Sequence, residues 1–442
     1  MLRTLFVIII TLVGIAASFY GTFNALMFYL WMAYFRPEDW LWNNFFSSLN
    51  LSLYVGVFLL LSTFFTHVKL KFTLFAGLLT LVAIHSLTSS LLSNYSSVSF
   101  SYWIDFIKIV VISYLITMVI RSEKDLKVTL IIISLSLGLE GAKQGWLQLI
   151  LNPGATNANT HLMLGDNNGV AVGMIMLVPV LFALYQTTER KLFKYGFGFL
   201  AIGIIYRALS TYSRGGFLTF LVMCIIFWLR SKHKFRILII VALISALLLP
   251  VFPQEFWDRM DTITVGEDEK RDDSAAGRLY YWQVAMDMAK SEPIFGVGHN
   301  AYRQAYGSFS GGQHGTRRSV HSAWFGILSE WGFLGFAFYM GIYIYSLFSC
   351  TKVRRMCKNK PELKNFLVYG ISLETSLIAA AVGITFLSFQ YIEILWHFFA
   401  LAVVTNQIVR AQYEAQGNTL IKSADENTDL FGTEISMREV KF

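Results

Sequence analysis

The chain has 442 residues, of which 55% are hydrophobic and only 14% charged, against about 25% charged in an ordinary soluble domain. Length alone would allow two or three soluble domains, but this composition excludes them and describes one membrane-embedded helical body. The net charge of +8 does not indicate nucleic acid, because the basic residues fall in short clusters between apolar runs, as in cytoplasmic loops.

A spanning helix needs about 20 mostly apolar residues. Runs that approach this lie at residues 3–19, 21–35, 51–66, 71–91, 104–120, 128–150, 167–186, 196–212, 215–230, 237–253, 321–349, 365–388 and 391–409. The expected fold class is all-α: a polytopic transmembrane bundle of about twelve spans with one large loop carrying short surface helices. The first run starts directly after Met-Leu-Arg and is read as a retained helix, not a cleaved leader. The second is short, so the two together are expected to make a single crossing. Trp31, Trp40, Trp42, Trp103 and Trp146 sit at the ends of apolar runs, where amphipathic rings favour the headgroup level.

Sidedness follows from Lys and Arg in the short loops. Residues 67–71, 121–127, 190–194, 230–236 and 352–364 are basic, whereas 92–102 and 151–166 contain no Lys or Arg. The basic set is expected in the cytoplasm and the other set outside. This gives N-terminal transmembrane helices over 1–253, a large external loop over 254–320, C-terminal transmembrane helices over 321–410 and a polar cytoplasmic tail over 411–442. Cys224, Cys350 and Cys357 show neither metal-ligand spacing nor a disulfide framework.

The loop 254–320 carries eight Lys/Arg and ten Asp/Glu, with the charges segregated. An acidic run, Gly266 to Asp273, opens it and reads as a solvated face before it reads as a divalent-ion site. From Gly277 to Ala289 apolar residues recur at helical spacing, which predicts an amphipathic helix near the membrane surface. Glu292-Pro293 ends that helix, Gly296-Val-Gly298 predicts a turn, and a Gly-rich stretch runs from Gly307 to Gly315.

Several polar residues stand out. Arg214 in Thr211-Tyr-Ser213-Arg214-Gly215-Gly216 lies at an external helix end. It either snorkels to headgroups or acts on a ligand. Arg278 begins the surface helix, as a solvated charge or as an anion ligand; the planar fork of Arg suits a diphosphate. His321 sits where the loop re-enters the membrane, satisfied at the interface or serving as a base; His299 and His314 share its loop. Glu330 is expected in a buried pair with a basic residue, and Glu140 with Lys143. Asp166-Asn167-Asn168 either caps a helix or lines a polar cavity. No Walker loop, dinucleotide fingerprint or zinc motif occurs, so no cofactor or metal is expected.

The order and spacing of Ser213-Arg214-Gly215, Gly277-Arg278-Leu-x-x-Trp282, Pro293-x-x-Gly296-x-Gly298-His-Asn300 and His321-Ser-Ala-Trp-x-x-x-Leu328-x-Glu330-x-Gly332-x-x-Gly335 resemble the O-antigen ligase and polymerase superfamily. Phe35-Arg-Pro-Glu38, Gly141-Ala-Lys143-Gln-Gly145 and Gly165-Asp166-Asn167-Asn168 resemble its exosortase-associated O-glycosylation ligase branch.

The resemblance implies glycosyl transfer on the periplasmic side of the bacterial inner membrane. The donor would be a glycan on undecaprenyl diphosphate, and the acceptor a sugar hydroxyl on lipid A–core or another glycan. Residue by residue it implies His321 as general base, with Arg214 and Arg278 on the diphosphate. Arg317, Arg318, Ser213, Trp282 and Asn168 would contact substrate. A polymerase of the same superfamily and, in another class, a membrane transporter are the competing expectations.

Overall fold

Polar residues at the ends of apolar runs set where the helices begin. Ser122 and Asp125 form a reciprocal capping box, while Thr73, Asp166, Ser213 and Ser322 each accept a backbone N–H of the first turn they precede. The computed structural model describes residues 2–37, 51–66, 68, 72–161, 163–231, 273–311 and 317–431, with isolated positions between 234 and 258. Among these residues all regular structure is helical.

The N-terminal part contains α1 (Leu2–Ser18), α2 (Thr22–Phe35), α3 (Leu51–Phe65), α4 (Leu74–Leu92), α5 (Ser96–Val119) and α6 (Glu123–Leu151). Then come α7 (Asn167–Thr187), α8 (Lys191–Leu209) and α9 (Arg214–Arg230). The large loop supplies α10 (Asp273–Ser291) and α11 (Tyr302–Phe309). The chain re-enters with α12 (Ala323–Cys357), α13 (Lys364–Gly383) and α14 (Glu393–Phe431). The expected span at 237–253, most of the acidic run 266–273, His314, Trp40, Trp42 and the tail from 432 lie outside the described residues.

Seven described stretches are long and apolar enough to cross a membrane: Leu74–Leu92, Ser96–Val119, Asn167–Thr187, Lys191–Leu209, Ala323–Cys357, Pro361–Phe386 and Glu393–Ala415. The chain is a multi-pass membrane protein. The expectation of about twelve spans also counted shorter helices such as α1 and α3.

The innermost helices are α7, α14 and α13, with 83%, 78% and 67% of their apolar windows buried. Around them α7 packs on α8 and α13, α13 on α9 and α12, and α14 on α12 and α5. The outer helices present large apolar side chains outward, among them Leu12, Phe64, Ile84, Leu192 and Phe199. In water such a surface would be an aggregation hazard; against lipid it is the matching face.

One irregularity organises the end of the bundle that carries the loop helices. Helix α12 breaks at Gly332, whose φ of 69° and ψ of −174° fall in a region that only glycine occupies readily. Freed backbone groups at membrane depth cost several kcal/mol each unless re-paired. The segment after α10 re-pairs them. Val297 N donates to Ser329 O at 2.9 Å, Gly298 N to Glu330 O at 3.2 Å, and Phe333 N to Pro293 O at 2.8 Å. From α4, Ser89 Oγ donates to Glu330 O and His85 Nε2 to Trp331 O, both at 2.8 Å.

The two backbones lie so close that a Cβ on Gly296 would sit 2.4 Å from the Glu330 carbonyl carbon. The Gly296-x-Gly298 motif, expected as a turn, is therefore half of a splice whose other half is Glu330-x-Gly332. Helices α10 and α11 rest on this splice through an apolar cluster of their own, including Val284, Met288, Val297, Tyr302, Tyr306 and Val320. Gly307, the first residue of the glycine-rich stretch, lies inside α11.

Candidate active site

Two helix starts meet, those of α7 and α9. Asp166 caps α7, its Oδ1 accepting from Gly169 N at 2.9 Å. Ser213 caps α9, its Oγ accepting from Gly216 N at 3.2 Å. The same Ser213 hydroxyl donates to Asn168 Oδ1 at 2.7 Å, and Asn167 Nδ2 donates to Thr211 O at 3.3 Å, so the two ends are sewn together. Each helix start carries a partial positive charge.

Three further elements close the space. From α10 come Arg278 and Tyr281, from the stretch before α12 come Arg318 and His321, and from the end of α13 and the turn after it come Gly383, Phe386 and Leu387. With Asn168, Val172, Ser213, Arg214 and Gly215 they line a cavity of about 320 Å³, within the lower range for small-molecule sites.

The wall carrying His321 is held from behind. Trp282 Nε1 donates to Val320 O at 3.1 Å. The Trp282 ring stacks on Phe325 at 5.2 Å and tilts against Phe386 at 6.2 Å. His321 itself has a φ of 49°, and Tyr212, beside Ser213, one of 53°. Left-handed conformations of bulky residues cost about 1–3 kcal/mol each and gather at functional sites.

Charge in the cavity is dominated by arginine. Arg214, Arg278 and Arg318 all face it. Burial, then the Arg278 charge, holds His321 below the ordinary imidazole range, with Asp166 pulling the other way. The imidazole is thus neutral and able to accept a proton near neutral pH. Among the described residues no three His, Cys, Asp or Glu side chains are arranged to hold a metal ion.

Six of the residues singled out in the sequence, namely Asn168, Ser213, Arg214, Arg278, Arg318 and His321, share this one cavity. Trp282 lies behind its wall, and Arg317 is exposed outside it. His299 is buried and neutral: burial pushes it down to about 3, and Trp331 Nε1 donates to its Nδ1 at 3.1 Å. Asp166 caps α7, and Lys143 pairs with Glu140 at 3.2 Å.

Glu330 requires a correction. The basic partner expected for it is replaced by Tyr391 Oη at 2.6 Å, Tyr302 N at 3.3 Å and Gln390 Nε2 at 3.5 Å. These donors come from elements on either side of the splice, so Glu330 ties loop to bundle. Two contributions had escaped sequence reading. Tyr281 and the residues ending α13 carry no recognisable motif. Arg207 does carry a signal, an arginine within an apolar run. It is buried, and donates to Gln144 Oε1, Asn157 O and Asn159 O at 2.9, 3.2 and 2.7 Å. It thereby fastens the loop that leads to Asp166.

Residues 199–340 match a family model described as O-antigen ligase, and residues 1–186 match one described as a family of unknown function. No curated protein matches the chain. The first match holds Arg214, Arg278, Arg318, His321 and both halves of the splice, while Asn168 enters the cavity from the second. Residues 199–340 thus form a domain of the O-antigen ligase superfamily, about a third of the chain.

Proposed function

We propose that this cavity transfers a glycan from undecaprenyl diphosphate to a sugar hydroxyl of lipid A–core on the periplasmic face of the inner membrane. The O-antigen ligase domain over residues 199–340 supports a membrane glycosyltransferase-like enzyme of lipopolysaccharide biosynthesis. The observation that carries the finer reading is the convergence of Arg214, Arg278, Arg318 and His321 on one cavity beside two helix starts. Such a cluster suits an anion with two phosphate groups.

In this reading the diphosphate lies against the arginines and the helix starts, with the lipid tail running between helices. The acceptor hydroxyl approaches from the His321 side. His321 takes its proton as the oxygen bonds to the anomeric carbon. The bond from that carbon to the diphosphate oxygen breaks, and the diphosphate leaves with the electron pair. Attack opposite the leaving group inverts the anomeric centre. The arginines neutralise the charge that builds on the leaving oxygen, each worth about 10²–10³ in rate. They supply the charge stabilisation for which other transferases use a divalent ion, so the reaction is proposed to be metal-independent.

The test uses the purified protein in vesicles with a lipid-linked glycan and lipid A–core, with and without EDTA. Transfer that survives chelation is expected, and full dependence on a divalent ion would contradict the mechanism. Deletion in the parent organism separates the neighbouring readings. Loss of every glycan cap from lipid A–core fits a ligase, single-repeat caps a polymerase, and substrate uptake without transfer a transporter.

A further inference from the structure

Tyr281 lines the cavity, and none of the proposed steps uses it. It follows Arg278 by three positions on α10, so ring and guanidinium share a helix face. Side chains on a helix lean toward its N-terminus, and the Tyr281 ring lies back over Gly277. A Cβ on Gly277 would stand 3.1 Å from the Tyr281 hydroxyl oxygen and 3.2 Å from its Cζ, tighter than ordinary contact. The glycine next to Arg278 thus makes a bed for this ring. Helix α11 holds it as well. Tyr302 Oη donates to Tyr281 O at 2.9 Å, and the Tyr306 and Tyr281 rings meet edge to face at 5.7 Å.

We propose that the Tyr281 ring is a platform for the sugar joined to the diphosphate, a binding residue that positions the anomeric carbon and favours a donor that carries its glycan; this rests on the reading of Arg278 as a diphosphate ligand. Such a donor has two arms beyond its phosphates. The apolar wall of the cavity, Val172, Phe386 and Leu387, comes from α7 and from the end of α13 and the turn after it, which belong to the spanning bundle. That wall suits the lipid arm. Tyr281 comes from α10, which is not among the apolar spans, and suits the arm that leaves the membrane. A pyranose presents C–H faces between its hydroxyls, and an aromatic face packs on them as on other apolar groups. Because the ring is already packed, little conformational freedom is lost when the sugar settles on it.

The probes are undecaprenyl diphosphate with and without one attached pyranose, each titrated into the full-length protein purified in detergent. Wild type should bind the sugar-bearing lipid more tightly than the bare one. Tyr281→Leu should cut that preference about tenfold, the size of one good aromatic contact, and leave binding of the bare lipid unchanged. Tyr281→Phe, which keeps the ring, should keep the preference. An equal loss of both lipids in Tyr281→Leu, as a merely structural ring or one under the lipid arm would give, would overturn the platform. So would a preference that survives Tyr281→Leu or is lost in Tyr281→Phe. Arg278→Ala probes the reading beneath and should weaken both lipids. Binding of both that ignores Arg278→Ala would overturn the diphosphate assignment whatever Tyr281 does.

Discussion

Replacing Gly332 by Ala attacks the splice at its least tolerant point. The φ of 69° with ψ of −174° costs a side-chain-bearing residue about 1–3 kcal/mol. The added Cβ would also lie 2.6 Å from Pro293 O and 2.8 Å from Ile294 C, and backbone cannot swing aside as a side chain can. Relief means separating the segment 293–298 from α12. That strains the three backbone hydrogen bonds at Val297, Gly298 and Phe333, each worth about 0.5–1.5 kcal/mol.

The sum is at most about 2.5–7.5 kcal/mol, or on the order of 5 °C in melting temperature for a chain this size. Gly341, in the same helix, is the control. A Cβ there meets only the Leu78 side chain, at 3.5 Å, and Ala in a helix interior is favoured over Gly by about 0.5–1 kcal/mol. Melting in one detergent, followed by tryptophan fluorescence, should thus drop for Gly332→Ala and hold or rise for Gly341→Ala. Because the splice carries α10, transfer should fall with Gly332→Ala too. Equal melting of the two variants would refute the idea that the break is held by a glycine-only conformation.

Other expectations follow from the cavity and its supports. Arg278→Ala and Arg214→Ala should each lower transfer about 10²–10³-fold, and Lys at either position should restore only part, since it lacks the paired fork; full rescue by Lys in a transfer assay would argue against bidentate contact. A base works unprotonated, and His321 is held low by burial and Arg278. The rate should therefore be lost, as pH falls, only below the ordinary imidazole value of about 6.5. Arg278→Gln should move that limb upward in a kcat/KM profile. Arg207→Met removes the donors to Gln144, Asn157 and Asn159, of which the buried Asn157 acceptor costs about 1–3 kcal/mol when stranded. Lower melting and faster proteolysis of residues 152–160 are expected.

The helices were readable because the chain repeats one signal, an apolar run closed by a capping residue. Arg214, Arg278 and His321 were readable because charge at a helix end or a loop exit is costly and stands out against apolar surroundings. The splice was not readable. Gly296 and Gly332 are 36 residues apart, and a glycine signals a special backbone without saying what approaches it. Glu330 misled for a related reason. Its strongest partner, Tyr391, is 61 residues away, whereas helical spacing reveals only neighbours on one face. Gly383, Phe386 and Leu387 shape the cavity by position alone, which apolar residues do not announce.

The most direct measurement separates donor binding from chemistry in the cavity. Wild type, Arg278→Ala and His321→Ala would be compared for binding of a polyprenyl-diphosphate-linked glycan and for single-turnover transfer to lipid A–core. His321→Ala should bind the donor as wild type does and lose about 10²–10⁴ in transfer, whereas Arg278→Ala should lose binding as well. Wild-type transfer by His321→Ala, or donor binding indifferent to Arg278, would contradict the assignment of this cavity as the site of glycan transfer.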